Sequence, residues 1–488
     1  MKTILRIICM AMLAVMLISC FVSCAKAGDD AENEDAVSTE GGAEENGDGI
    51  RYDANGYELD DLPDDLNYGG KDVNILMWKE WAKQDFMLSE EITWSKELYE
   101  RQVRVEERLN VTIKIDADTS GSWNYRKDFI SKVDTDLQSN EVSSYDIIGS
   151  YGASIGGIAT KSLATNLYDV EYLNFKKPWW KNDQIDNATI NGKVYFVTGD
   201  ITPTSTLTMH CVYGNEDLLT NYGHKDLYDL VYSGKWTIEK MKEMALENTV
   251  YDKDDPKALL GLTICASAQG PLLHASGVKY LEHDNKGLLK ISDALSDQKV
   301  HSLFATLQGL YNQYDNVETQ TNNSKFANGK AFFHLGAVGD MVSFAKSSKF
   351  SFVVLPLPKY DEDQKQYHTT NGAWNTYYSI PIKTADRAMS GAVLEALASQ
   401  AYRTLTPVVF EESFSTKFVS DPEDAAMVQY IYDALTYDCA HVYADDAVGT
   451  LHAAFNDVLS STASWSSIYG GHIESWTNKI MILNNNLK

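Results

Sequence analysis

The sequence predicts an α/β fold arranged in two lobes, and three observations carry that prediction. Apolar stretches of strand length alternate with stretches of helical spacing from residue 73 onward. The body from about residue 67 to 488 is too long for one typical core. Aromatic residues make up 11% of the chain, which is enough to fill large interiors.

The elements follow in order. Val73 to Trp78 reads as a short apolar strand, and Glu90 to Leu109 as a helix through Tyr99, Val103, Val105 and Leu109. Val111 to Ile115 is the next strand. Asn124 to Ser139 is the next helix, with Phe129, Ile130, Val133 and Leu137 on one face, and Tyr145 to Ser150 returns to a strand. Strand, helix, strand, helix, strand is the pattern of a parallel sheet flanked by helices, whose ligands gather at the carboxyl ends of the strands. That rule nominates Trp78, Glu80 and Trp81 after the first strand, and Ser150 and Tyr151 at the end of the third. Trp78 serves equally well as a core residue closing the sheet.

Further along, Leu207 to Tyr213 reads as a strand, Leu262 to Cys265 as another, and Phe352 to Leu355 as a third that ends in prolines. Thr237 is placed to cap a helix reaching Glu247. The C-terminal part from Arg387 is largely helical, with stripes over Ala392 to Thr404 and Asp421 to Leu435 and a break at Thr406-Pro407.

The first residues decide the compartment. Lys2 and Arg6 precede an apolar run from Ile7 to Ile18, a signal-peptide length too short for a spanning helix. The run ends in Leu17-Ile18-Ser19-Cys20, which resembles a bacterial lipobox with Cys20 as the lipidated cysteine; Phe21-Val22-Ser23-Cys24 is a poorer copy. Residues 1–19 are therefore read as a lipoprotein signal peptide. Residues 20–66 are read as the lipid anchor plus a disordered acidic spacer that has almost nothing to bury. Part of the net charge of −27 belongs to that spacer, and such a balance argues against nucleic acid as a partner. In the body, Cys211, Cys265 and Cys439 form neither a disulfide framework nor a metal-ligand cluster and read as thiols.

Several segments together resemble the extracellular solute-binding proteins of family 1, the sugar-type receptors of ABC importers in Firmicutes. They are Glu106-Glu107-Arg108-Leu109-Asn110-Val111, Tyr145-Asp146-Ile147-Ile148, Asn191-Gly192-Lys193-Val194-Tyr195, Tyr213 to Leu219, Gly234 to Met241, Phe326 to Phe333 and Leu355 to Lys359. Each is short, and their shared order over almost the whole body carries the resemblance. It implies a two-lobed fold of the periplasmic-binding-protein type (type II), closing by a hinge over a solute. It places one lobe at 67–205 with 326–355 and the other at 206–325 with 356–488, with crossovers near Thr206 to Val212 and Phe352 to Pro358.

A sugar presents C–H faces and hydroxyl rims, so its site needs aromatic platforms and planar polar groups. Within the implied cleft these are Trp374 and Asn371 in the turn Thr370 to Asn375, Asp200 before the first crossover, His210 within it, and Ser267 and Gln269 after a strand. His210, on an apolar strand, is more often a satisfied core histidine than a ligand, and Trp374 is the strongest candidate. No cofactor or metal is expected. The expected partners are a small solute, a sugar above all, and the permease subunits of an ABC importer, with the receptor a monomer on the outer face of the cell membrane. The rivals from other classes are a surface enzyme acting on glycans and a surface adhesin or sensor. No Gly-x-Ser-x-Gly elbow, zinc helix or calcium loop supports catalysis or metal binding.

Overall fold

The computed structural model describes residues 44–45, 50–86, 94–247, 252, 254–255, 258–268, 270–414, 422–444, 447–459 and 461–487. The chain divides into two compact units, Met1–Gly56 and Tyr57–Lys488. In the first, Glu44–Glu45 pairs antiparallel with Arg51–Tyr52. The second holds both lobes and includes residues 57–66, which corrects the expected end of the disordered spacer: Leu62 is buried and Asp60 pairs with Arg108 at 2.7 Å.

Its first strand, β1 (Lys71–Met77), buries Ile75, Leu76 and Met77 completely. Helix α1 (Ser95–Leu109) ends where Asn110 adopts a left-handed conformation, φ 49°, and turns the chain into β2 (Val111–Asp116). Helix α2 (Arg126–Ser139) leads to β3 (Ile147–Tyr151), and α3 (Gly152–Thr160) follows at once. The chain then enters β4 (His210–Asn215), α4 (Ile238–Leu246), β5 (Leu260–Cys265), α5 (Gln298–Asn312), β6 (Val317–Thr321), β7 (Ala331–Ala337), α6 (Asp340–Ser347) and β8 (Phe352–Leu355). The Thr237 side chain accepts from the Lys240 amide, the cap expected there. Strand β9 (Thr376–Ser379) precedes α7 (Arg387–Gln400), α8 (Thr406–Phe414), α9 (Pro422–Asp433) and the long α10 (Trp465–Asn486).

Two sheets organise these elements. The first has the order β9-β3-β1-β2, with β1 parallel to both β2 and β3 and β9 antiparallel to β3. The second has the order β6-β5-β7-β4-β8, with β7 parallel to β5 and antiparallel to β4. All five residues of β3 are buried, as in a parallel strand covered on both faces.

The pairings correct the expected exchange between lobes. Residues 326–355 belong with 206–325: Phe333 of β7 lies opposite both Leu262 and Gly214, so β7 fills the centre of the second sheet. Residues 376–379 return to the first lobe, where Tyr378 lies opposite Gly149. The order of segments showed where strands fall, but pairing depends on contacts that order does not encode. The break expected at Thr406-Pro407 is corrected as well. Ala401–Leu405 forms a π-helical turn between α7 and α8, and Pro407 sits in the first turn of α8, where its missing N–H is tolerated.

Between the lobes the chain crosses at 200–210 and again at 356–375. The two crossings are tied together: the His210 amide donates to the Thr370 carbonyl at 3.1 Å, and the Thr369 hydroxyl donates to the His210 carbonyl at 2.5 Å.

Candidate ligand-binding cleft

The carboxyl ends of the parallel strands in both sheets point toward the crossings, so the loops that follow β1, β3, β5 and β7 line the space between the lobes. From the first lobe comes an aromatic ladder. Trp78 is fully buried, and its indole N–H donates to the Thr376 hydroxyl at 2.9 Å. Its ring lies 6.3 Å from Trp81 and 5.7 Å from Tyr151. Tyr151 in turn meets Trp374 edge to face at 5.5 Å. Trp374 is 42% exposed, although large aromatic residues are usually covered. The ladder thus runs from the core of the first lobe to a ring face open to a ligand.

Beside it, the exposed Glu80 accepts from the Ser120 hydroxyl and, at 3.1 Å, from the Gly121 amide. Partial burial would raise its pKa, but hydrogen bonds from Ser120, Ser122 and Gly121 outweigh that and hold the carboxyl below its ordinary range. A side chain at Gly121 would come within 2.4 Å of the Ser150 hydroxyl and 2.7 Å of Trp78, so the loop lies on the ladder only because this residue is glycine.

Deeper inside are buried polar groups with no hydrogen-bond partner among the described residues: the Ser150 hydroxyl, both amide atoms of Asn371 and the Tyr437 hydroxyl. Asn371 and Tyr437 are neighbours. Such groups cost roughly 1–3 kcal/mol each unless a polar ligand or water engages them.

Two of the expected contacts, Asp200 and His210, are buried among protein partners. Asp200 is buried, paired with Lys181 at 3.2 Å, and accepts from the Tyr432 hydroxyl at 3.0 Å. Burial raises its pKa, with Lys181 opposing. Its Oδ1 ties Lys181 to Tyr432 of α9 beside the first crossing. His210 is buried with Nδ1 2.7 Å from the Thr370 carbonyl, and desolvation lowers its pKa. It clamps the crossings. Trp78 supports the ladder from beneath. Ser267 is exposed after β5, its hydroxyl 3.2 Å from the Cys265 thiol. Gln269 and Cys20 lie outside the described residues.

The structure adds residues that the sequence reading missed. Asp340 opens α6 at the carboxyl end of β7, accepting from the Ala337 amide at 3.0 Å and from the Asn323 amide group at 2.9 Å. Burial raises its pKa. Its place after Gly336-Ala337-Val338-Gly339, a tight turn leaving a strand, is the signal that could have found it. Trp123 and Arg126 follow β2, where the sequence offered only a helix start.

Two α/β lobes, joined by crossing segments and lined with aromatic and planar polar groups, define a hinged receptor for a small solute. The chain belongs to the bacterial extracellular solute-binding protein family, whose family model matches residues 106–401. No curated protein matches it in sequence. Solved structures share the fold. UgpB from Mycobacterium tuberculosis, in complex with glycerophosphocholine, is 15% identical with a TM-score of 0.53, over 86% of this chain and 100% of that one. An ABC substrate-binding protein from Listeria monocytogenes, in complex with cycloalternan, is 11% identical with a TM-score of 0.51, over 86% and 99%. A cyclo/maltodextrin-binding protein complexed with maltotetraose is 11% identical with a TM-score of 0.54, over 86% and 97%. Among the described residues no helix is long and apolar enough to cross a membrane.

Proposed function

We propose that this protein is the receptor of an ABC importer, held to the outer face of the membrane through a lipid on Cys20, and that it binds an oligosaccharide between its lobes. The observation that carries the ligand class is the ladder ending in the exposed Trp374, because an open aromatic face is what a sugar's C–H face stacks on. Glu80, Asn371, Ser267 and Asp340 supply acceptors and donors for hydroxyl rims, and they come from both lobes. A ligand gripped from both sides favours the closed arrangement, which a permease can distinguish from the open one. Neighbours that bind maltotetraose and cycloalternan support the class, and one that binds glycerophosphocholine supplies the control.

A thermal-shift screen of the purified protein tests this reading, with mono- and oligosaccharides, glycerophosphocholine and short peptides. A saturable rise with one sugar family is expected, since a ligand bound only by the folded state stabilises it. A rise with glycerophosphocholine or a peptide alone would overturn the carbohydrate reading. Turnover of a glycan during the screen would favour a surface enzyme.

A further inference from the structure

Away from the hinge, contacts between the lobes gather on one flank of the cleft. The chain after α9 runs along that flank as a strap. It starts at the crossings, where the Thr436 amide donates to the Thr369 carbonyl at 2.8 Å. On the second-lobe side, the Tyr280 amide donates to Asp438 at 2.5 Å, and Nε2 of His441 lies 2.9 Å from Nε2 of His274. On the first-lobe side, a side chain at Gly156 would come within 2.0 Å of the Val442 carbonyl, and Tyr443 packs edge to face on Phe196 at 5.5 Å.

Beyond the strap the lobes touch again. Trp123, on the loop that follows β2, lies 5.3 Å from the ring of His452, which is anchored beside α10 through Thr450 and Trp476. The Arg126 guanidinium stacks on the Trp123 ring at 4.0 Å and donates to the Trp123 carbonyl at 2.5 Å. This loop also carries Gly121, which rests on Trp78, and the Arg126 charge reaches the Tyr151 phenol. The stack therefore stands beside the ladder near Trp78 and Tyr151, one ring away from the solvent-exposed Trp374 on which a sugar would rest.

We propose that the strap and the Trp123–Arg126–His452 stack close one end of the cleft, so that the receptor takes the free terminus of a linear oligosaccharide and refuses rings and mid-chain segments. A groove open at both ends lets a chain run through it, and a wall across one end turns it into a socket that reads how the chain stops. The inference rests on the carbohydrate reading.

Calorimetry on the purified protein tests it with linear malto-, cello- and manno-oligosaccharides, the same sugars blocked at the reducing or the non-reducing end, and cyclodextrins. The native protein is expected to bind at least one linear series. Blocking one end should weaken binding tenfold or more, and cyclic forms should bind at least as weakly. In Trp123→Ala and His452→Ala the penalty for the block should shrink toward onefold, because the wall is opened. Equal binding of linear, blocked and cyclic forms by the native protein would overturn the end wall and leave the carbohydrate reading standing. Failure of every linear sugar to bind would remove both. The native comparison stands even if a variant fails to fold.

Discussion

Trp78 and Trp374 belong to one ladder yet have opposite duties, and their exposures separate them. Trp374→Ala should weaken sugar binding roughly five- to tenfold through loss of a stacking face, with the melting temperature nearly unchanged. Trp78→Ala should destabilise by about 3–5 kcal/mol, because it empties a filled interior; thermal unfolding and calorimetry on both variants read the two effects apart. Glu395 makes a different prediction. It is buried in α7 and accepts from the indoles of Trp179 at 3.2 Å and Trp180 at 2.9 Å, and from the Asn174 amide at 3.2 Å. Burial raises its pKa from an ordinary 4.5 to about 8 despite those donors. The folded state then holds a proton that the unfolded chain releases, so the contribution is full below pH 4.5 and is lost as pH rises toward 8. Glu395→Gln should flatten the fall in melting temperature between pH 5 and 8, and an unchanged slope would contradict this assignment. The exposure of Trp374 was legible because a tryptophan in a Gly- and Asn-rich turn has little to pack on. The partners of Asp200 and His210 were not legible, because nothing in the sequence near them announces Lys181, Tyr432 or Thr370.

At the scale of elements, the strap depends on a close approach that sequence alone does not announce. Gly156 lies inside α3, where glycine costs about 1 kcal/mol of helix propensity relative to alanine. Its reason is the Val442 carbonyl, which a methyl group would meet at 2.0 Å. Gly156→Ala should therefore destabilise by about 1–3 kcal/mol, whereas Gly470→Ala in α10, with nothing within 4 Å, should be neutral or slightly stabilising. Thermal unfolding of the pair checks this, and equal effects would remove the strap contact from the account. The strands β1, β2 and β3 were legible from alternating strand and helix periods. Strand β9 was not: Thr376-Tyr377-Tyr378-Ser379 is wholly buried, and its polar ends carry no alternation to distinguish it from the turn before it. The π-helical turn before Pro407 also lacks a local signal, because its cause is how α7 continues into α8.

At the scale of the whole molecule, the family and the two-lobed fold could be read from the order of short segments, while the partition between lobes could not. That partition is set by which strands pair, and β7 and β9 pair across long stretches of chain. Loops of both lobes line the cleft, and the proposed ligand is expected to touch both. Hydrogen exchange on the protein with and without the sugar that binds it tests this most directly. Simultaneous protection is expected at residues 78–81, 149–151 and 371–375 of the first lobe and its crossing, and at 265–268 and 337–340 of the second. Protection confined to one lobe, or to a surface outside these loops, would contradict a receptor that closes over its ligand.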